Sequence, residues 1–159
     1  MPVEQYAYFA LRSERTSARE MTAFLGMEPD ETTVRGSRIA QPALPVCHCW
    51  KIVCRQPVLR VDEQITQVIE RLDPHIARVT ELVQQLTGEP EAGHAAVLQV
   101  VRYFSPVEGP DNLAAEAPNL FGWDLDRKAL AFLTATGAVL DVDEYDLSTD
   151  AEAGGQSRP

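Results

Sequence analysis

The stretch Gly137-Ala-Val-Leu-Asp-Val-Asp-Glu-Tyr145 decides the fold, because apolar residues alternate in it with acidic and aromatic ones. Successive side chains of a β-strand point to opposite faces of its sheet. Leu140 and Val142 therefore share one face. The residues on the other face are Asp141, Asp143 and Tyr145. The stretch predicts a strand whose sheet is apolar on one side and polar on the other.

Residues 4–12 predict a second strand of the same kind. Apolar and polar positions alternate in it, as Ala7, Phe9 and Leu11 against Tyr6, Tyr8 and Arg12. Aromatic residues favour strands over helices. Two such strands in one sheet bring tyrosines and carboxylates together on the face opposite the core.

After the strand at residues 4–12, the sequence predicts a helix and then a hairpin. Ser17 and Glu20 form a capping box that begins the helix, and Gly26 ends it. Residues 31–55 then predict a hairpin whose loop contains two prolines.

Residues 62–86 carry apolar side chains every three or four positions, which is the period of an amphipathic helix. Pro74 interrupts this pattern. With Asp73 as the N-cap and Pro74 at the first helical position, two helices are favoured over one kinked helix.

The remaining third of the sequence predicts a strand, a loop, a helix and the closing strand. Residues 96–104 are apolar on both faces, which is typical of an interior strand. A loop rich in proline and glycine covers 105–122. Asp124 or Asp126 caps the last helix, and Gly137 ends it.

This order of elements predicts one α+β domain over residues 1–147, followed by a disordered acidic and polar tail at 148–159. The first strand, helix, hairpin, helical pair and next strand form a ferredoxin-like βαββαβ core. A helix and a strand are added at its C-terminal end. We expect a mainly antiparallel sheet with the helices on one face.

The composition is that of a globular protein, with 45% hydrophobic and 24% charged residues in a chain of 159. The net charge of −10 repels phosphate backbones, so we expect no nucleic-acid partner. We also expect no membrane association, because no run reaches the roughly 18 apolar residues that a membrane helix needs. The N-terminal residues lack a signal-peptide pattern and the cysteines number three, which favours a cytoplasmic protein with reduced thiols.

Motifs for metal binding and catalysis are weak. Cys47, His48, Cys49 and Cys54 are zinc-type ligands, but they lack the paired spacing of a structural zinc site. On a strand, Cys47 and Cys49 face one way while His48 and Cys54 face the other. Residues 141–146 resemble the start of a calcium loop without its glycine and its bidentate glutamate. The sequence also lacks the nucleophile-elbow, P-loop, dinucleotide and metalloprotease motifs, so we predict no metal, no cofactor and no catalytic residue.

The candidate binding surface is the polar face of the predicted sheet. Its predicted members are Tyr6, Tyr8, Asp141, Asp143 and Tyr145, with Trp50 if its side chain points outward, and with Arg35 as a contact for an anion. Tyr and Trp suit interfaces because each combines a large apolar body with a polar tip. We rank an interface with a protein partner or a second copy first, ordinary core second and a small-ligand pocket third.

Four pieces of the chain follow the order of a family pattern: Leu25-Gly-Met-Glu-Pro-Asp30, Arg35-Gly36, Trp50 and Thr136-Gly-Ala-Val-Leu-Asp-Val-Asp-Glu-Tyr145. In these motifs the chain resembles the bacterial domain-of-unknown-function 4279 family over about residues 4–147. That family commonly has a lysine where this chain has Arg35, and the Cys-His-Cys run is not part of its pattern. The resemblance implies a compact α+β domain in the bacterial cytoplasm and no established activity.

Three hypotheses for function follow from these observations. The first is a small non-catalytic bacterial protein-binding module, immunity-like or homodimerising, that uses the aromatic and acidic face. The second is a small-molecule-binding protein or enzyme whose pocket is lined by Asp141, Asp143, Tyr145 and Arg35. The third is an accessory subunit that is stable only within a complex.

Overall fold

The structure is a computed structural model that describes residues 3–37, 45–90, 93–105 and 120–147. Its strands are β1 (Val3–Ser13), β2 (Glu31–Thr33), β3 (His48–Cys54), β4 (Ala96–Phe104) and β5 (Val139–Asp146). Its α-helices are α1 (Ala18–Leu25), α2 (Val61–Leu72), α3 (Ile76–Leu86) and α4 (Arg127–Thr136). Most of the predicted hairpin loop, most of the loop at 105–122 and the predicted tail lie outside the described residues.

The five strands form one sheet in the order β2-β3-β1-β4-β5. β1 pairs antiparallel with β3 and β4, and β2 pairs antiparallel with β3. β4 and β5 run parallel, because a chain that crosses over through a helix returns to the sheet in its original direction. The prediction of an α+β domain with a mainly antiparallel sheet is confirmed.

The apolar face of the sheet packs against the helices. Ala7, Phe9 and Leu11 of β1 are fully buried, and they share one core with residues of all four α-helices. The ring of Phe9 meets that of Phe132 in α4 edge-on, with the ring centroids 5.3 Å apart. The described helices therefore lie on one face, as the alternation in β1 predicts.

Helix α1 begins and ends as its sequence predicts. The Ser17 hydroxyl accepts a hydrogen bond from the Glu20 amide, and the Glu20 carboxylate accepts one from the Ser17 amide at 2.8 Å. Gly26 ends the helix in the left-handed conformation with φ of 65°. The capping box thus satisfies two backbone N–H groups at the start of the helix, those of Ser17 and Glu20.

The segment 62–86 forms two α-helices joined by a 3-10 turn at Asp73–His75. The preference for two helices is confirmed, but the role given to Asp73 is wrong. Asp73 has a right-handed helical backbone instead of the extended one of an N-cap. Its carboxylate lies 2.7 Å from the Lys128 ammonium and joins the turn to α4.

The second half of the structure shows which residue caps α4 and where β4 lies in the sheet. Asp126 caps α4, since its carboxylate accepts a hydrogen bond from the Ala129 amide at 2.8 Å. Asp124 does not occupy the cap position. The first seven residues of β4 are all buried, which confirms the prediction of an interior strand.

Candidate functional surface

The face of the sheet opposite the helices, called the outer face below, gathers the predicted tyrosines and carboxylates. Strand register places Tyr8 beside Gln99 and Gln99 beside Asp141. One row further along, Tyr6 lies beside Val101 and Val101 beside Asp143. The third row pairs Tyr103 with Tyr145. The structure therefore brings Tyr6, Tyr8, Asp141, Asp143 and Tyr145 onto one surface.

Four tyrosines form a cluster across three strands of the outer face, called the tyrosine cluster below. Tyr6 and Tyr8 stack with ring centroids 6.2 Å apart, and Tyr103 and Tyr145 stack at 5.0 Å. Burial, and then the neighbouring Tyr6 phenol, raise the pKa of Tyr103. Burial likewise raises the pKa of Tyr8. Tyr8 and Tyr103 are therefore neutral near pH 7, and each offers both an apolar ring and a hydroxyl.

Two cations lie over the tyrosines of β1. The Lys51 ammonium is 4.4 Å from the centre of the Tyr8 ring, and the Arg55 guanidinium carbon is 4.1 Å from the centre of the Tyr6 ring. Arg55 also bonds the Glu31 carboxylate at 2.8 Å. Contacts of this kind stabilise by about 0.5–1 kcal/mol at exposed sites, so they hold the cations on this half of the face.

The opposite half of the outer face is acidic. Asp141 and Asp143 are exposed on β5, and Asp143 accepts a hydrogen bond from the Gln99 amide group at 3.0 Å. Among the described ranges no Lys or Arg nitrogen lies within 4.0 Å of either carboxylate. The outer face thus has Lys51 and Arg55 beside the tyrosines on the β3 side, with Glu31 bonded to Arg55, and the carboxylates of Asp141 and Asp143 on β5.

Trp50 does not belong to the outer face, and its inclusion in the predicted surface is wrong. The residue pairs with Leu11 and shares its parity, so the indole points toward the helices. It is fully buried, and its N–H donates a hydrogen bond to the Thr22 hydroxyl at 3.1 Å. Trp50 is a core residue beneath α1.

Arg35 is also separate from the predicted carboxylates. It follows β2, at the edge of the sheet opposite β5. Four strand spacings of about 4.8 Å place it roughly 19 Å from β5. Its guanidinium donates a hydrogen bond to the Glu14 carbonyl at 3.1 Å. The predicted pocket shared by Arg35, Asp141, Asp143 and Tyr145 is therefore contradicted by the topology.

The sequence pattern did not place Lys51, Arg55 or Tyr103 on the outer face. Tyr103 has the same parity as Val97 and Val101, so the alternation already placed it on one side of β4. What the sequence lacked was the register that sets Tyr103 opposite Tyr145. For Lys51 and Arg55, the missing information was the pairing of β3 with β1.

The cavity beside α1 lies away from the outer face, and the potential metal ligands of the described residues do not converge on one point. A cavity of about 360 Å³ separates α1 from the β2–β3 hairpin on the helix side, and no predicted surface residue lines it. Cys49 shares the face of Lys51, whereas His48 and Cys54 share the face of Trp50. Within the described residues, no three His, Cys, Asp or Glu side chains are grouped to hold a metal ion. No helix among them is long and apolar enough to cross a membrane.

The fold and this surface define a class of α+β domain, in which helices cover one face of the sheet and tyrosines occupy the other. Residues 3–147 match the family model described as Domain of unknown function (DUF4279), and the chain belongs to that family. No curated protein and no solved structure matches the chain.

The first motifs on which the family resemblance rests have structural roles. Leu25 is buried and Gly26 caps α1. Both carboxylate oxygens of Asp30 accept hydrogen bonds from the Arg71 guanidinium, at 2.6 and 2.8 Å. One of them also accepts a hydrogen bond from the Val53 amide at 2.7 Å. These contacts tie the hairpin to α2. The last motif differs, because its outward side chains belong to the outer face.

Proposed function

We propose that this chain is a non-catalytic protein-binding module that contacts another protein chain through the outer face. The observation that carries this proposal is the tyrosine cluster, flanked by Lys51 and Arg55 on the β3 side and by exposed carboxylates on β5. No described helix lies over it. Tyrosine is enriched in protein interfaces, and complementary charges set the register and speed of association.

We also propose that the fold is a ferredoxin-like βαββαβ core with an added helix and strand. The order β2-β3-β1-β4, with antiparallel neighbours, supports this assignment. In this reading α4 and β5 are the additions, so the acidic half of the outer face is an extension of the core. The free thiols of Cys47, Cys49 and Cys54 support a cytoplasmic location, which we propose as well.

Site-specific photo-cross-linking in the native cells tests the binding proposal. A photoreactive phenylalanine derivative replaces Tyr145 on the outer face or, as the matched control, Leu130 on α4. The two side chains are similarly exposed, at 45% and 50%, but lie on opposite sides of the sheet. We expect protein adducts from position 145 and none from position 130.

Each adduct is identified by mass spectrometry, and binding is then measured with purified proteins. Because an exposed ion pair contributes up to about 1 kcal/mol, Asp143→Asn should weaken binding by up to about fivefold, and added salt should weaken it further. Equal adducts from both positions would refute the proposal. So would binding that is unchanged by Asp143→Asn combined with Tyr145→Ala.

A further inference from the structure

We propose that the protein chain bound by the outer face is a second copy of this chain, in a two-fold symmetric dimer. This inference rests on the proposed function and names its partner. Lys51 and Arg55 lie on the β3 side of the outer face, where Glu31 bonds Arg55, and the exposed carboxylates of Asp141 and Asp143 lie on the β5 side. A surface whose cations and exposed carboxylates lie on opposite sides of a midline can complement itself.

The strand register makes this complementarity specific. Four residues lie in one row across the sheet: Arg55 next to Tyr6, Tyr6 opposite Val101, and Val101 opposite Asp143. These residues belong to, or directly follow, β3, β1, β4 and β5, which are consecutive in the sheet. The midpoint of the row falls between β1 and β4.

We place a two-fold axis through this midpoint, parallel to the strands and between the two facing sheets. Rotation about this axis leaves each row at the same position along the strands and exchanges the two ends of the row. Arg55 of one copy then lies over Asp143 of the partner subunit, and the same contact recurs on the other side of the axis, as an isologous interface requires. The Arg55 side chain is 53% exposed despite its bond to Glu31, so a second carboxylate has access to it. Asp143 keeps one carboxylate oxygen beyond the bond from Gln99.

The available area indicates a weak dimer. Three strand spacings plus side chains span about 19 Å, and nine residues of β4 at about 3.3 Å each span about 30 Å. The face therefore offers about 570 Å² per copy and about 1,100 Å² in total, just above the lower limit for a specific interface. Interfaces below about 1,200 Å² are typical of weak, transient complexes.

Charge reversal with rescue tests the dimer in the full chain. Sedimentation equilibrium at physiological salt, over protein concentrations from about 1 to 300 μM, should show a monomer–dimer equilibrium that weakens as salt is added. Asp143→Arg and Arg55→Asp should each weaken it strongly. Since each exposed pair is worth up to about fivefold and occurs twice, the loss should approach 25-fold. The double variant Asp143→Arg with Arg55→Asp should recover most of the dimer.

The matched control is Glu70→Arg, which makes the same charge change on an exposed position of α2. It should leave the dimer unchanged, and thermal unfolding should show that all variants fold. A monomer at every concentration overturns the dimer, as does a double variant no better than the single ones. If position 145 still cross-links to a different protein in either case, the proposed function stands and only its partner is corrected. If no such adduct forms, both proposals fail.

Discussion

The contact between Asp30 and Arg71 offers a quantitative test of how the hairpin is held to the helices. Asp30 precedes β2 and accepts three hydrogen bonds, two from Arg71 on α2 and one from the Val53 amide on β3. Removing the carboxylate in Asp30→Ala therefore breaks the link between three elements at once. Arg71→Gln breaks the ion pair and the long 3.5 Å bond to the Val53 carbonyl, but leaves the bond from the Val53 amide to Asp30 intact.

The expected magnitudes follow from exposure. The side chains of Arg71 and Asp30 are 43% and 34% exposed, so solvent screens the pair, and its contribution is limited to about 1 kcal/mol. The Val53 bond to a charged acceptor adds about 1.5 kcal/mol. We expect Asp30→Ala to lower the free energy of unfolding by about 2.5 kcal/mol and Arg71→Gln to lower it by about 1 kcal/mol. Arg55→Gln, which breaks a more exposed pair with Glu31 and the contact with the Tyr6 ring, should cost about 1 kcal/mol.

Urea unfolding at pH 7 with linear extrapolation measures these differences. Hydrogen bonds from Arg71 hold the pKa of Asp30 below its ordinary value in the folded protein. The stabilisation is therefore complete above the unfolded pKa of about 3.9 and is lost as pH falls through that value toward the folded pKa. The cost of Asp30→Asn should be constant from about pH 7 to pH 5 and shrink below that. A cost of Asp30→Ala no larger than that of Arg55→Gln would show that the link is not stabilising, and a pH-independent cost of Asp30→Asn would show that charge is not its basis.

Three further predictions concern the core, a helix end and the tyrosine cluster. Trp50→Ala should cost about 3–5 kcal/mol in urea unfolding, because the buried indole leaves a cavity, whereas a surface position would cost at most about 0.5 kcal/mol. Gly26→Ala should cost about 1 kcal/mol because φ is 65° there, while Gly122→Ala, with open space around it, should be neutral in the same assay. Tyr8 and Tyr103 should ionise above the ordinary tyrosine pKa of about 10 in an absorbance titration, and Tyr103→Phe should remove one late-titrating phenol. Because their folded pKa values are raised, stability should fall as pH rises through about 10, and a flat profile there would contradict the assignment.

Alternation along β1 and β5 was enough to predict the two faces of the sheet from the sequence. The reason is physical, since a strand in a sheet covered on one side must separate apolar from polar side chains by parity. Ala7, Phe9 and Leu11 lie in the core as that rule requires. The capping box of α1 was equally predictable, because its hydrogen bonds are local.

The orientation of Trp50 and the role of Asp73 could not be predicted from local sequence rules. The parity of Trp50 relative to the sheet depends on how β3 is registered against β1, which is a long-range property. Asp73 had an N-cap sequence, but α2 continues through a 3-10 turn, because the buried Leu72 and Val79 follow the packing of the core on both sides of it. In both cases the outcome was set by long-range packing, which the local sequence does not determine.

The separation of the two faces also determines what can be learned from mutating them. Residues that hold the fold together, such as Trp50 and Asp30, contact the helix side or the hairpin. Asp143 and Tyr145 lie on an edge strand and are largely exposed, so their replacement removes little buried area and should cost at most about 1 kcal/mol. A variant of these two residues that folds normally but loses its partner would therefore report on binding alone. If such variants unfolded instead, the outer face would be part of the core, and the distinction on which the proposed interface depends would be lost.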